Sequence, residues 1–135
     1  MLILLSLLLA CHGVDVLGPI GSGGAAYAEG MWEARALTVQ AGLAEAEALH
    51  QQGDRSAAQA LVRDVYLGSF EPELEVLIRE QSSAAQATEL EYRFGLLEQA
   101  MGRKDAERVS ELRLELEQRV LVQARDFDKA QLILR

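Results

Sequence analysis

Ser83-Ala84-Ala85-Gln86-Ala87-Thr88-Glu89-Leu90-Glu91-Tyr92-Arg93-Phe94-Gly95-Leu96-Leu97-Glu98-Gln99-Ala100-Met101-Gly102 sets the fold class of this chain. Ala87, Leu90, Phe94, Leu97 and Met101 recur at spacings of 3, 4, 3 and 4, the period of one helical face. Ser82 and Ser83 are placed to cap its start and Gly102 to stop it. Downstream, a helix beginning near Lys104 or Asp105 carries Val109, Leu112, Leu116, Val120 and Ala124 and continues to Phe127, before the tail Leu132-Ile133-Leu134. Upstream, the spacing predicts a first helix from Met31 to His50 with Leu37, Ala41, Ala44 and Ala48 on its inner stripe. Gly53 ends that helix and Asp54 caps a second, whose inner face is read as Ala58, Leu61, Val65 and Gly68. Pro72 has no amide hydrogen and its ring crowds the carbonyl of residue 68, so a kink or break is expected there, with helix again from Glu73 to Arg79. The expectation is an all-α, antiparallel four-helix bundle.

Composition agrees. The chain has 135 residues, enough for one compact domain, and beyond Glu29 it is rich in Ala, Leu, Glu, Gln and Arg, which lose little on entering a helix. Its 21 acidic and 13 basic side chains leave a formal charge of −8, with the basic residues scattered. Nucleic acid is therefore disfavoured as a partner. One cysteine rules out an intramolecular disulfide, and two histidines rule out a histidine-rich metal site. Metal chemistry must lean on carboxylates. No Ser/His/Asp constellation and no phosphate-binding glycine loop is present, so the expectation is a protein that is not an enzyme.

Six glycines fall in the first thirty residues, behind the apolar run of residues 1–11. Eleven helical residues reach about 16 Å, too short to span a hydrocarbon core of about 30 Å. Residues 1–11 are read as an export signal, although the usual basic residue at its start is missing. Two cleavage points compete. Leu8-Leu9-Ala10-Cys11 is similar to a bacterial lipoprotein box, with Cys11 as the lipidated residue and Leu9 where a small residue is usual. Ala26-Tyr27-Ala28 offers an A-x-A site further on. Residues 12–30 are then a Gly-rich tether and 31–135 the helical bundle domain, on the periplasmic side of a bacterial envelope and membrane-held through lipid if Cys11 is processed.

The acidic residues around Pro72 carry the chemistry. In an uninterrupted helix Asp64, Gly68, Glu71 and Glu75 share one face, and Glu75 also continues the inward stripe. An inward carboxylate calls for a partner or a cation. Glu91, four residues after Ala87 and three before Phe94, flanks the core face of its own helix. Glu71, Glu75 and Glu91 are thus candidate metal ligands, since carboxylates on neighbouring helices are how bundles hold hard cations. The alternative is that they pair with Arg63, Arg79 or Arg93. His50, in the last turn of its helix, is read as a capping residue. Trp32, Tyr66, Tyr92 and Phe94 are spaced for packing rather than as a stacking platform. Gly53 to Ala58 is similar to the inter-helix turn of tetratricopeptide repeats, but no second copy follows at 34 residues.

The run from Gln52 to Glu75, containing Gly53-Asp54, Ala58, Leu61, Asp64-Val65-Tyr66 and Gly68-Ser69-Phe70-Glu71-Pro72-Glu73, resembles the extracytoplasmic helical domain of bacterial high-affinity iron permeases. Glu91, Phe94 and Leu97 match the family's later Glu-x-x-Phe-x-x-Leu helix, and the likeness covers roughly Leu37 to Arg103. One residue, Ser69, is interposed in the family's Gly-Phe-Glu, and the membrane permease with its Arg-Glu-x-x-Glu motifs is absent. The resemblance implies a non-catalytic module of an iron uptake system, binding ferrous or ferric iron weakly or docking on an iron permease or other envelope protein. The alternative is a helical protein-interaction adaptor without metal.

Overall fold

The computed structural model describes residues 26–134; the apolar leader and Cys11 lie outside them. The described chain is all-helical: α1 (Met31–Gln51), α2 (Arg55–Val65), a π-helical segment (Tyr66–Glu75), α3 (Val76–Gln81), α4 (Ala84–Met101) and α5 (Ala106–Lys129). α2, the π segment and α3 run on without a break, so the chain makes four arms. Cross-links fix their directions. Arg125 pairs with Glu33 and Arg113 with Glu47, Arg35 pairs with Glu73, Arg63 with Glu98, and Arg93 with Glu115. Along α1 and α5 the pairs run from 33/125 to 47/113, and along α4 and α5 from 89/119 to 93/115, so numbers rise on one helix as they fall on the other, which is antiparallel packing.

The turns follow the sequence closely. Gly53 sits at φ 88°, in the left-handed region, after α1. Asp54, Ser83 and Asp105 each accept a hydrogen bond from the amide three residues on, at 3.1, 3.1 and 3.0 Å. α1 has no capping side chain of its own, because Gly30 stands at the cap position. Asp128, at the far end of α5, accepts instead from the amides of Trp32 and Glu33 at 3.1 and 2.8 Å. Tyr27 donates its hydroxyl to the Asp128 carbonyl, and the Trp32 indole donates to the Leu132 carbonyl. The stretch expected to be tether therefore closes onto the domain by Tyr27.

The inner faces of α4 and α5 are those the stripes predict: Ala87, Leu90, Phe94, Leu97 and Met101, and Val109, Leu112, Leu116, Val120, Ala124 and Phe127, are all buried. α1 is turned the other way. Trp32, Ala36, Val39, Leu43 and Ala46 are buried, whereas Leu37, Ala41, Ala44 and Ala48 face solvent. Both stripes have helical spacing, and burial of Trp32 and Leu43 removes more apolar surface from water than burial of one leucine and three alanines. Gly42 brings α1 close to α2: a Cβ there would stand 2.4 Å from Val65 Cγ2.

The second arm neither kinks to a stop nor breaks at Pro72. From Ala58, Val62 and Val65 the buried positions jump five residues to Phe70, then continue through Leu74, Leu77 and Ile78. An α-helix would turn Ser69 and Pro72 inward instead. Widening to i→i+5 bonding over Tyr66–Glu75 absorbs the extra residue and relieves the crowding of the proline ring. It leaves Gly68 exposed and Leu61 half-buried, correcting the inner face expected for this arm.

Candidate functional site

The widened turns aim three side chains at one place. Phe70 and Leu74 enter the core, and Glu75 follows them inward with its side chain 7% exposed. Below it, Phe70 stacks on Phe94 with ring centres 4.9 Å apart, and Tyr66 lies against Phe94 at 5.2 Å. A carboxylate on an aromatic floor is costly to desolvate unless its oxygens are hydrogen-bonded. Both are: the Tyr66 hydroxyl donates to one at 2.6 Å, and Arg79, one turn on, donates to the other.

Arg79 rather than Arg63 or Arg93 therefore relieves the inward charge. Arg63 is engaged by Glu98, and Arg93 by Glu89 and Glu115. Burial pushes the Tyr66 phenol well above its ordinary range; its hydrogen bond to Glu75 and the negative charges of Glu75, Glu91 and Glu71 push it further. Tyr66 therefore holds its proton and donates it to Glu75.

The three glutamates singled out by sequence surround this phenol, but unequally. Glu75 is buried and doubly bonded, while Glu71 and Glu91 are exposed and make no ion pair among the described residues. Glu91 borders a shallow cleft of about 210 Å³ between α2 and α4, with Arg63, Tyr66 and Glu98 on its walls. Among the described residues no three His, Cys, Asp or Glu side chains stand together as a ready-made metal ligand set.

A second buried polar cluster escaped the sequence reading. Arg113 of α5 bridges Glu47 of α1 and Glu117, with its guanidinium 2.7 Å from the latter. All three are largely shielded, and two carboxylates share one cation. Burial raises Glu117 above the ordinary carboxylate range; the hydrogen bond and charge of Arg113 lower it, and the charge of Glu47 raises it. The signal was present in the spacing of Arg113 and Glu117, four apart and bordering the α5 stripe. His50 also differs from expectation: its Nε2 lies 2.6 Å from the Arg103 carbonyl, fastening α1 to the α4–α5 turn, and its buried Nδ1 has no partner.

No helix among the described residues is long and apolar enough to cross a membrane. Comparison with protein-family models, curated proteins and solved structures finds no match to this chain.

Proposed function

We propose that this domain is a non-catalytic module of an iron uptake system on the periplasmic side of a bacterial envelope, taking iron as transient cargo. The supporting observation is the asymmetry around Tyr66. One carboxylate, Glu75, is locked by Tyr66 and Arg79, while Glu71 and Glu91 stand exposed and, among the described residues, without an ion pair. Exposed oxygen ligands without a closed cage suit weak capture of a hard cation. Such a site would load and unload rather than retain its ion. Glu71 and Glu91 would reorient to meet it, while Glu75 stays held by Tyr66 and Arg79 behind them.

The test is thermal unfolding with ferrous and ferric iron, with zinc and calcium as controls. Iron should raise the melting temperature progressively with concentration, because only the folded state offers the site. Glu71→Gln and Glu91→Gln should each weaken that response and leave the apo protein's melting temperature unchanged. A wild-type protein that does not respond to iron, or variants that respond as the wild type does, would end the metal reading. The adaptor reading would then lead. It is favoured by the Glu75–Arg79 pair, which neutralises the buried carboxylate without any ion.

A further inference from the structure

Acidic side chains outnumber basic ones by 21 to 13, so carboxylate partners are plentiful, and the described Lys and Arg side chains have one in every case but three. Arg55, Arg103 and Lys104 have none among the described residues. All three stand at one end of the bundle, where Arg55 opens α2 and Arg103 and Lys104 make the α4–α5 turn. Gln59, one turn after Arg55, donates to the Glu98 carbonyl at 3.2 Å, and its amide lies 2.7 Å from the place of a Cβ on Gly102, which sets the start of α2 against that turn. His50 closes the group from α1.

Arg103 also lines a pocket. Between the end of α4 and the start of α5 lies a cleft of about 160 Å³, with Leu96, Ala100 and Leu112 as its apolar part and Arg103, Arg108 and Asp105 as its charged part. Two guanidinium groups thus face one carboxylate. Asp105 already accepts from the Arg108 amide at 3.0 Å, and Glu111 engages Arg108 through one nitrogen at 2.7 Å, so most of both guanidinium forks is left without a carboxylate among the described residues. Of the other carboxylates at this end, Asp54 caps α2 and Glu107 makes no ion pair among the described residues. The backbone of Arg103 is held on both sides: its amide donates to the Ala100 carbonyl at 3.0 Å, and its carbonyl accepts from the His50 Nε2 at 2.6 Å. The cation stands on a fixed base, which lowers the ordering cost of meeting a ligand.

Size and charge define the occupant. A volume of 160 Å³ is that of about five waters, the scale of one tetrahedral oxyanion with its first substituent. Guanidinium forks match the oxygens of phosphate in pairs, and Lys104 adds a point charge beside them. A net charge of −8 repels anions from the rest of the surface, so an anion that binds at all is directed to this end. We propose that Arg103, Lys104 and Arg108 bind a phosphate monoester, the oxyanion on the cations and the carbon side of the ester over Leu96, Ala100 and Leu112. The group is common to soluble phosphate esters and to lipids with a monoester headgroup. α4 carries Glu91 about 15 Å from its end at Met101, so the site is separate from the carboxylates of the iron reading.

Inorganic phosphate and glycerol phosphate are the soluble probes and acetate the control, all at one ionic strength and without iron. In amide NMR titrations of the full chain, both phosphates should shift the amides of residues 103–108 and bind at least about tenfold more tightly than acetate. Arg103→Gln with Lys104→Gln should abolish that preference, and Lys129→Gln, exposed at the far end of α5, should leave it intact. If the double variant unfolds, Arg108→Gln makes the same test. Phosphatidylcholine vesicles with and without phosphatidic acid separate the two sources. Retention that requires both phosphatidic acid and the cations assigns a lipid headgroup, and amide shifts without retention assign a soluble ester. Phosphate binding no tighter than acetate, equal binding by wild type and the cation variants, or neither shifts nor retention would overturn the proposal. Because iron is absent throughout, such a failure is distinct from failure of the iron reading.

Discussion

α1 and α5 lie side by side in one bundle and differ in how tightly their sequences dictate orientation. α5 alternates its apolar stripe with Glu, Arg, Gln and Asp, so any other rotation would bury more charge than the Arg113–Glu117 pair already shielded. α1 offers Trp32, Ala36, Val39 and Leu43 on one side and Leu37, Ala41, Ala44 and Ala48 on the other, and volume rather than polarity chooses between them. Periodicity locates a helix, but only contrast across the helix orients it.

The largest expected effect separates the two sides of α1. Leu43→Ala should cost about 2–5 kcal/mol, as should Leu116→Ala in α5, since both leucines are fully buried. Leu37→Ala should change stability by no more than about 0.5 kcal/mol. Urea denaturation of the three variants checks this. A Leu37→Ala loss as large as that of Leu43→Ala would mean that the outer stripe is covered and that the contrast between α1 and α5 is false.

The same distinction explains what could be read ahead of the structure. Leu97, Met101, Leu112 and Val120 were assignable because polar residues fill the opposite face. The caps at Asp54 and Ser83 follow from local hydrogen bonding and need no tertiary knowledge. The rotation of α1 does need it, because only the finished core shows where Trp32 fits. The π segment was hidden for another reason: Pro72 signals disturbance, whereas the five-residue step from Val65 to Phe70 becomes meaningful only once both are known to be buried. Glu75 was correctly expected to point inward, yet through a stripe containing Gly68 that the widened turn exposes. Its partner Tyr66, nine residues back, depends on that widening, whereas Arg79, four residues on, is an ordinary helical neighbour. Glu71 and Glu91 end up in solvent because the π turn and the α4 surface leave them beside the core rather than in it.

Two glycines sharpen the comparison at smaller cost. Gly42, on the α2 side of α1, has Val65 Cγ2 2.4 Å from the place of a Cβ, and a valine side chain has little rotamer freedom to yield. Gly42→Ala should destabilise by about 1–3 kcal/mol through overpacking. Gly95, in the middle of α4, has nothing within 4 Å of the same place. Gly95→Ala should stabilise by about 0.5–1 kcal/mol, the helix-propensity difference. A stabilising Gly42→Ala in thermal melts would show that α1 and α2 are not held together at this point.

Asp128 tests whether α5 holds the start of α1. Its carboxylate serves the Trp32 and Glu33 amides in place of a local cap. Asp128→Ala should cost about 1 kcal/mol, within the range for lost caps. Hydrogen exchange should accelerate at Trp32 and Glu33 more than at Leu43. Uniform acceleration along α1 would assign the loss to global stability instead of to the cap.

The smallest effect is the pH dependence of the buried charge cluster that joins α1 to α5. Glu117 has its carboxyl raised above the ordinary range, chiefly by burial. The folded state therefore takes up a proton at Glu117 at a pH where the unfolded chain has already released it. By linkage, stability falls as pH rises through that window, so the ionised carboxylate weakens the fold near neutrality and the weakening is relieved in mild acid. Glu117→Gln removes the titration while keeping an acceptor for Arg113. The variant's melting temperature relative to wild type should accordingly be highest near pH 7 and should decline towards pH 5. Other carboxylates, such as Glu115, which Arg119 and Arg93 hold below the ordinary range, titrate in both proteins and cancel in the difference. A difference that stays constant from pH 5 to 7 would mean that Arg113 fully compensates Glu117. A difference that grows towards pH 5 would reverse the sign, and α1 and α5 would then be joined by a pair whose strength lies in its charge.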